Sequence, residues 1–310
     1  MNIGYNRHPS DNDEASFLAH CQALQPSALV IMGAPTFASE LADLLPDTRV
    51  IFRDWPDGTL AEVADPVARV NRMAAACPNP RVILYTNNEP HPSSAQKWAE
   101  WTVTAMQQAD YLGRRLCVGN WSVGTPEPDT WLAEWRPVLS SLQGTDHLLG
   151  LHEYQAMSWG WDFTPWLVGR YQNVLDACRT MGFACPRIVI TECGMDGNLS
   201  SDKGWKTAHL TEGEYADYMA DMIDLWRWPV VGACIFSWGN SGGWDAFDVS
   251  QAQTFQRRMV ELAATPTPEP PPIPELPPTT DLEARLATLE QRIGILENMT
   301  ERVGLVLTGG

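Results

Sequence analysis

Basic residues are scarce in this 310-residue chain: 21 Lys and Arg stand against 38 Asp and Glu, for a formal net charge of -17. Nucleic acids need basic surfaces for their phosphates, so no nucleic-acid partner is expected, and a neutral or cationic partner fits better. No run approaches the ~18 apolar residues of a membrane span, so no membrane partner is expected either. The first residues, Met1-Asn2-Ile3-Gly4-Tyr5-Asn6-Arg7, lack the apolar stretch of a secretory signal. The expected location is cytoplasmic by default, with attachment to a particle or release without a signal peptide as the alternatives. The seven cysteines include no CxxC pair, which argues against a disulfide framework. Cys117, Cys193 and Cys234 fall in or beside apolar runs as small hydrophobes, and Cys178 and Cys185 are the one pair placed to meet across a helix-to-strand turn. There is no GxGxxG, Walker loop or HExxH, and the six His residues are dispersed, so no cofactor and no metal are implied. Gly239-Asn240-Ser241-Gly242-Gly243 matches a hydrolase elbow, but no His follows Ser241 as that fold requires.

What the chain does have is a regular alternation. Apolar runs at 2–5, 28–33, 48–54, 81–88, 114–120, 148–154, 187–192 and 231–238 read as strands. Helical patterns lie between them at 66–76, 94–111, 130–142, 164–181 and 213–226, with a last one at 250–263. Continuous runs such as Leu29-Val30-Ile31-Met32 suit strands buried on both faces, the mark of a parallel sheet. Without the tail, about 265 residues remain, close to the ~250 of an eight-fold α/β barrel. The expected fold is therefore α/β, a (β/α)8 TIM barrel over residues 1–264; an open doubly wound sheet has the same periodicity.

After Ala264 the composition changes. Residues 265–280 form a Pro-rich linker, expected as a stiff polyproline II spacer reaching about 45 Å at ~3.1 Å per residue. Within 281–305, Leu282, Leu286, Leu289, Ile293, Leu296 and Val303 recur at heptad spacing, and Arg285 with Glu290 and Arg292 with Glu297 place opposite charges on flanking positions. The two Arg-h-x-x-h-Glu hexads resemble the signature of parallel trimeric coiled coils, so a homotrimer through 281–305 is expected. A single amphipathic helix docked on the barrel is the alternative.

Two glutamates sit in matching settings. Glu89 follows Val82-Ile83-Leu84-Tyr85 through Thr86-Asn87-Asn88, and Glu192 closes Ile188-Val189-Ile190-Thr191. Strand ends on one barrel face converge on one crevice, so the two carboxylates are expected to meet there, the minimum equipment for cleaving a glycosidic bond. Asn88-Glu89-Pro90, His152-Glu153-Tyr154, Thr191-Glu192 and Phe236-Ser237-Trp238, in this order on strands four, six, seven and eight, resemble glycoside hydrolase clan A, the retaining barrel glycosidases.

The resemblance implies a retaining hydrolase of β-linked poly- or oligosaccharide, with Glu89 as acid and base and Glu192 as nucleophile. It implies Asn88 on the sugar 2-hydroxyl, Tyr154 orienting the nucleophile, Trp238 as a platform under the sugar, and His152 as the first member of the His-x-Tyr pair. Arg53 is its candidate for the arginine beside the nucleophile, although the family commonly places that residue on strand two, where Met32-Gly33-Ala34 stand. Asn120, Trp121, Asn6 and His8 are further candidate substrate contacts, and Trp55, Trp159, Trp161, Trp205 and Trp244 candidate sugar-stacking rings, as the 14 tryptophans suggest. Glu153 alternates away from His152 and Tyr154 and is left out of the site. Mechanistically, the acid should hold a proton at rest and the nucleophile should be ionised, with the charge of Glu192 raising the proton affinity of Glu89. A carbohydrate-binding or structural appendage barrel without turnover is the other class compatible with these residues.

Overall fold

The computed structural model describes residues 3–9, 13–54, 65–156, 166–196, 203–239 and 243–264. The chain divides into two units, 1–267 and 268–310. The expected Pro-rich linker and heptad helix lie outside the described residues.

The described residues form a (β/α)8 barrel. Its first half runs β1 (Ile3–Arg7), α1 (Glu14–Leu24), β2 (Ala28–Met32), α2 (Pro35–Leu44), β3 (Arg49–Arg53), α3 (Pro66–Ala76), β4 (Ile83–Tyr85) and α4 (Ala95–Tyr111). The second runs β5 (Leu116–Trp121), α5 (Pro128–Leu132), α6 (Arg136–Ser141), β6 (Leu148–Ala156), α7 (Tyr171–Met181), β7 (Ile188–Asp196), α8 (Glu212–Leu225), β8 (Val230–Trp238) and α9 (Gln253–Ala264). All eight strands are parallel and pair in sequence order, with β1 closing on β8. Closure rules out the open sheet.

Strand alternation builds two cores. Val30, Met32, Ile51, Ile83, Tyr85, Cys117, Val189 and Cys234 pack together inside the barrel, whereas Leu29, Ile31, Val50, Phe52 and Leu84 pack toward the helices. Local chemistry sets the helix ends. Asp65 caps α3 by accepting the N–H groups of Val67 and Ala68, and Thr211 with Glu214 makes a reciprocal capping box on α8. The single helix expected over 130–142 is two, because Pro137 has no N–H to donate and its ring crowds the carbonyl four residues back; α5 stops at Leu132 and α6 restarts at Arg136. All seven cysteines are free thiols, so the Cys178–Cys185 bridge does not form.

The rim breaks strict alternation at three places. Against β6, Gly119 pairs with Gly150 and Trp121 with Leu151, leaving Asn120 as the extra residue. Likewise Ile190 and Glu192 pair with consecutive residues of β6, which skips Thr191, and Phe236 and Trp238 pair with consecutive residues of β1, which skips Ser237. A bulge changes which face the following side chain takes. It brings Glu192 to the barrel mouth and turns Trp121 and Trp238 outward.

Candidate active site

Glu192, at the bulge of β7, is nearly buried and surrounded by donors. Arg53, at the end of β3, gives it an Nη1–H bond of 2.6 Å to Oε1; the Tyr154 hydroxyl donates to Oε2 at 3.0 Å; Asn6 approaches Oε1 from β1 at 3.5 Å. An arginine from across the barrel thus reaches the carboxylate from strand three, while Met32 of β2 lines the pocket. Burial, then the charge of Glu192 and the bond to it, push the Tyr154 phenol well above its usual value, so it remains a donor.

Glu89 stands in the loop after β4 with a left-handed backbone, φ 45°, although it is neither Gly nor Asn and precedes Pro90. Such a conformation persists only where its surroundings enforce it. Its N–H donates to the carbonyl of Asn120 at 3.0 Å. Its carboxylate meets His152 Nδ1 at 3.0 Å, and the same nitrogen is 3.6 Å from Glu192 Oε2. The two carboxylates therefore lie no farther apart than those two distances end to end, a ceiling at the short edge of the ~6.5–9.5 Å range of inverting glycosidases.

The surroundings of Glu89 work against the expectation of a neutral carboxyl at rest. Although 45% of its side chain faces the opening, the cleft walls desolvate the carboxyl and by that alone would raise its pKa. The hydrogen bond and charge of His152, helped by the Ser122 hydroxyl and the charge of Arg53, outweigh this and lower it to about 2. The reason lies in the proton inventory. Tyr85 donates its hydroxyl proton to Asn88 Oδ1 at 2.7 Å, so at its 3.1 Å contact with Tyr85 the His152 Nε2 must be the donor. His152 Nδ1 can then either donate to an ionised Glu89 or accept from a protonated one. Both states hold one proton between the two atoms.

The cleft at the strand ends has a volume of about 360 Å³, and its lining includes Asn88, Glu89, Ser122, Val123, Arg53, Tyr154, Glu192 and Asp196. Phe236, Trp244 and Phe247 make an aromatic wall, with Trp244 edge-on to Phe236 at 5.1 Å between centroids. His8 also lines it, its ring against Phe236. Among the described residues no cluster of three or more His, Cys, Asp or Glu is suited to a metal, and no helix is long and apolar enough to cross a membrane.

Six expected contacts are elsewhere. Trp238 is 1% exposed, stacked on His20, packed against Tyr5 and Phe17, and donates its Nε1–H to Asp13 at 2.7 Å, because the Ser237 bulge turns it toward α1. Phe236 occupies the cleft wall in its place. Trp121 is fully buried against Trp135, turned outward by the bulge at Asn120. Asn120 lies under the cleft floor, bonding the carbonyls of Asn87 and Cys117 and receiving the Thr191 hydroxyl. His152 is fully buried between the carboxylates and contacts them, not the open cleft. Asn6 is buried beneath Glu192, and Trp205 is stacked flat on Tyr215. Trp55, Trp159 and Trp161 lie outside the described residues. Glu153 faces the helices, accepting the N–H groups of Gly169, Tyr171 and the Trp226 indole. The lining residues Ser122, Asp196, Phe236 and Phe247 were missed. Alternation marks two of them: Asp196 lies four residues past Glu192 on β7, and Phe236 two past the inward Cys234.

No family profile matches the chain, and no curated protein matches it. Solved structures share its fold at low identity. A Bifidobacterium dentium β-glucuronidase complexed with coumarin-3-O-glucuronide superposes with a TM-score of 0.55 at 12% identity, over 86% of this chain and 47% of that one. A Ruminococcus gnavus β-glucuronidase in complex with D-glucuronic acid gives 0.53 at 15%, over 83% and 49%. The catalytic domain of a mannanase from Streptomyces sp. SirexAA-E gives 0.50 at 16%, over 84% of each chain. The chain spans about half the length of the two glucuronidases. At such identities the likeness establishes the barrel fold.

Proposed function

We propose that this chain is a retaining O-glycoside hydrolase acting on a β-linked poly- or oligosaccharide. The observation that carries the reading is the placement of Glu89 and Glu192 on either side of one His152 nitrogen, at 3.0 and 3.6 Å, in the barrel mouth. In the first step Glu192 attacks the anomeric carbon while Glu89 delivers the proton it shares with His152 to the leaving oxygen. A glycosyl ester on Glu192 and a free alcohol result. In the second step Glu89 takes a proton from water, whose oxygen displaces Glu192 and returns it as the carboxylate. Arg53 and Tyr154 steady the departing and returning charge. The neighbours' glucuronide and mannan chemistry is consistent with this class and leaves the sugar open.

The low carboxyl pKa of Glu89 favours a second reading, a carbohydrate-binding barrel without turnover, since a general acid must present a proton. Incubation with a 2-deoxy-2-fluoro β-glycoside bearing a good leaving group, followed by peptide mass spectrometry, separates the two. The hydrolase reading expects an ester on Glu192, lost in Glu192→Ala. Absence of labelling and of turnover across β-glucosides, mannosides, galactosides and xylosides would leave the binding reading.

A further inference from the structure

The two glucuronidase structures that share the fold carry a uronic acid or a glucuronide, yet the charges around this cleft oppose one. A uronate differs from its neutral sugar by a carboxylate in place of a hydroxymethyl group. Taking that carboxylate into a cleft requires a cation or a set of N–H donors to replace its water.

Of the described residues lining the cleft, three are carboxylates, Glu89, Glu192 and Asp196, and no lysine lines it. Its arginine, Arg53, is held on Glu192 at 2.6 Å and lies over the Tyr85 ring. His8 is fully buried with its ring against Phe236. His152 is engaged between the carboxylates. The net charge of -17 on the chain disfavours anionic partners in general.

We infer that the cleavage subsite takes a neutral or amino sugar and discriminates against uronic acids, so that the substrate is an uncharged or cationic glycan. The inference rests on the hydrolase reading for its catalytic form, while the charge argument applies equally to binding. Discrimination of this kind arises from like charge facing the uronate carboxylate and not from added contacts to the preferred sugar.

The test uses 4-nitrophenyl β-glycosides in pairs that differ only at C6: glucoside with glucuronide, galactoside with galacturonide, mannoside with mannuronide. For whichever configuration is turned over, kcat/KM of the neutral member should exceed that of the uronide by roughly 100-fold or more, the scale of like-charge juxtaposition. Asp196→Lys should shrink that ratio by roughly tenfold. Equal or faster hydrolysis of a uronide overturns the inference while upholding the hydrolase. If no glycoside of either kind is hydrolysed, the hydrolase reading falls and the charge argument is decided by calorimetric titration with cellohexaose, mannohexaose, chitosan hexamer and oligogalacturonide. Heat from a neutral or amino oligomer alone supports it; binding of the oligogalacturonide with comparable affinity, or of none, overturns it.

Discussion

The main-chain N–H of Glu89 donates to the carbonyl of Asn120 at 3.0 Å, while the Asn120 side chain receives the hydroxyl of Thr191, the residue before Glu192. One buried asparagine thereby ties the loop of one carboxylate to the strand of the other. Asn120 is itself left-handed, φ 46°, a conformation asparagine tolerates better than most residues, and its amide occupies space that a Cβ on Gly150 would fill, 1.9 Å from Oδ1. Asn120→Gly keeps that backbone and removes only the side chain. We expect kcat to fall by roughly 10²-fold with KM near wild type, since a small displacement of the reacting groups carries a cost of that order. Thermal unfolding should show a loss of about 1–3 kcal/mol from the buried amide's missing bonds. Steady-state kinetics beside calorimetry checks both, and a KM effect without a kcat effect would place Asn120 in sugar binding.

The Glu89–His152 contact has a pH signature. Folding lowers the Glu89 carboxyl from the ordinary carboxylate range of ~4.3 to about 2. Between these values the unfolded chain binds more protons than the folded one, so this group's stabilising contribution is full above about 4.3 and disappears as pH falls toward 2. His152→Gln removes the imidazole that bonds Glu89 and should flatten that dependence. Urea midpoints of wild type and variant should therefore differ more at pH 6 than at pH 2.5. In catalysis the variant should lose roughly 10²–10⁴-fold on glycosides with poor leaving groups and little on activated aryl glycosides that need no proton. Equal losses on both substrates would remove His152 from the proton's path.

Closed-barrel topology, strand order and the approach of Glu89 to Glu192 follow from features visible in the chain: eight apolar runs, helices between them, and acidic residues at two run ends. The rim is where the reading failed. Counting by twos from Cys234 puts both Phe236 and Trp238 in the cleft, but the bulge at Ser237 reverses the phase, so Phe236 lines it and Trp238 does not. The same happens at Asn120 ahead of Trp121, and at Thr191 the reversal brings Glu192 in. A bulge arises from pairing with a distant strand, so its extra residue has no local signature. The hydrogen bonding of His152 was hidden for a similar reason: it depends on Tyr85 donating to Asn88, a relation between the ends of β4 and β6.

That phase reversal separates two tryptophans by experiment. Trp238→Phe keeps an aromatic ring under α1 but loses the indole bond to Asp13. It should lower stability by about 1–3 kcal/mol and leave KM unchanged. Trp244→Ala, in the wall beside Phe236, should raise KM several-fold, up to about tenfold, with little change in the unfolding midpoint, because its side chain is only partly buried. The opposite assignment, a raised KM from Trp238→Phe, would restore it as the sugar platform.

We propose that residues 281–305 assemble the chain as a parallel trimer, an arrangement supported by the heptad spacing of Leu282, Leu286, Leu289, Ile293 and Leu296 and by the two Arg-to-Glu hexads. Three catalytic heads on stiff Pro-rich spacers would meet a polymer with a high effective concentration, so that one head's dissociation leaves the others engaged. Light scattering of the full chain should give three times the chain mass, and a version ending at Ala264 the mass of one. The two versions should share the same kcat/KM on a small aryl glycoside, which occupies one cleft at a time, while the full chain clears a polysaccharide faster at low enzyme concentration. Equal masses would remove the trimer, and a mass difference without a difference on polymer would confine 281–305 to assembly, because avidity requires the spacers to let two heads reach one strand together.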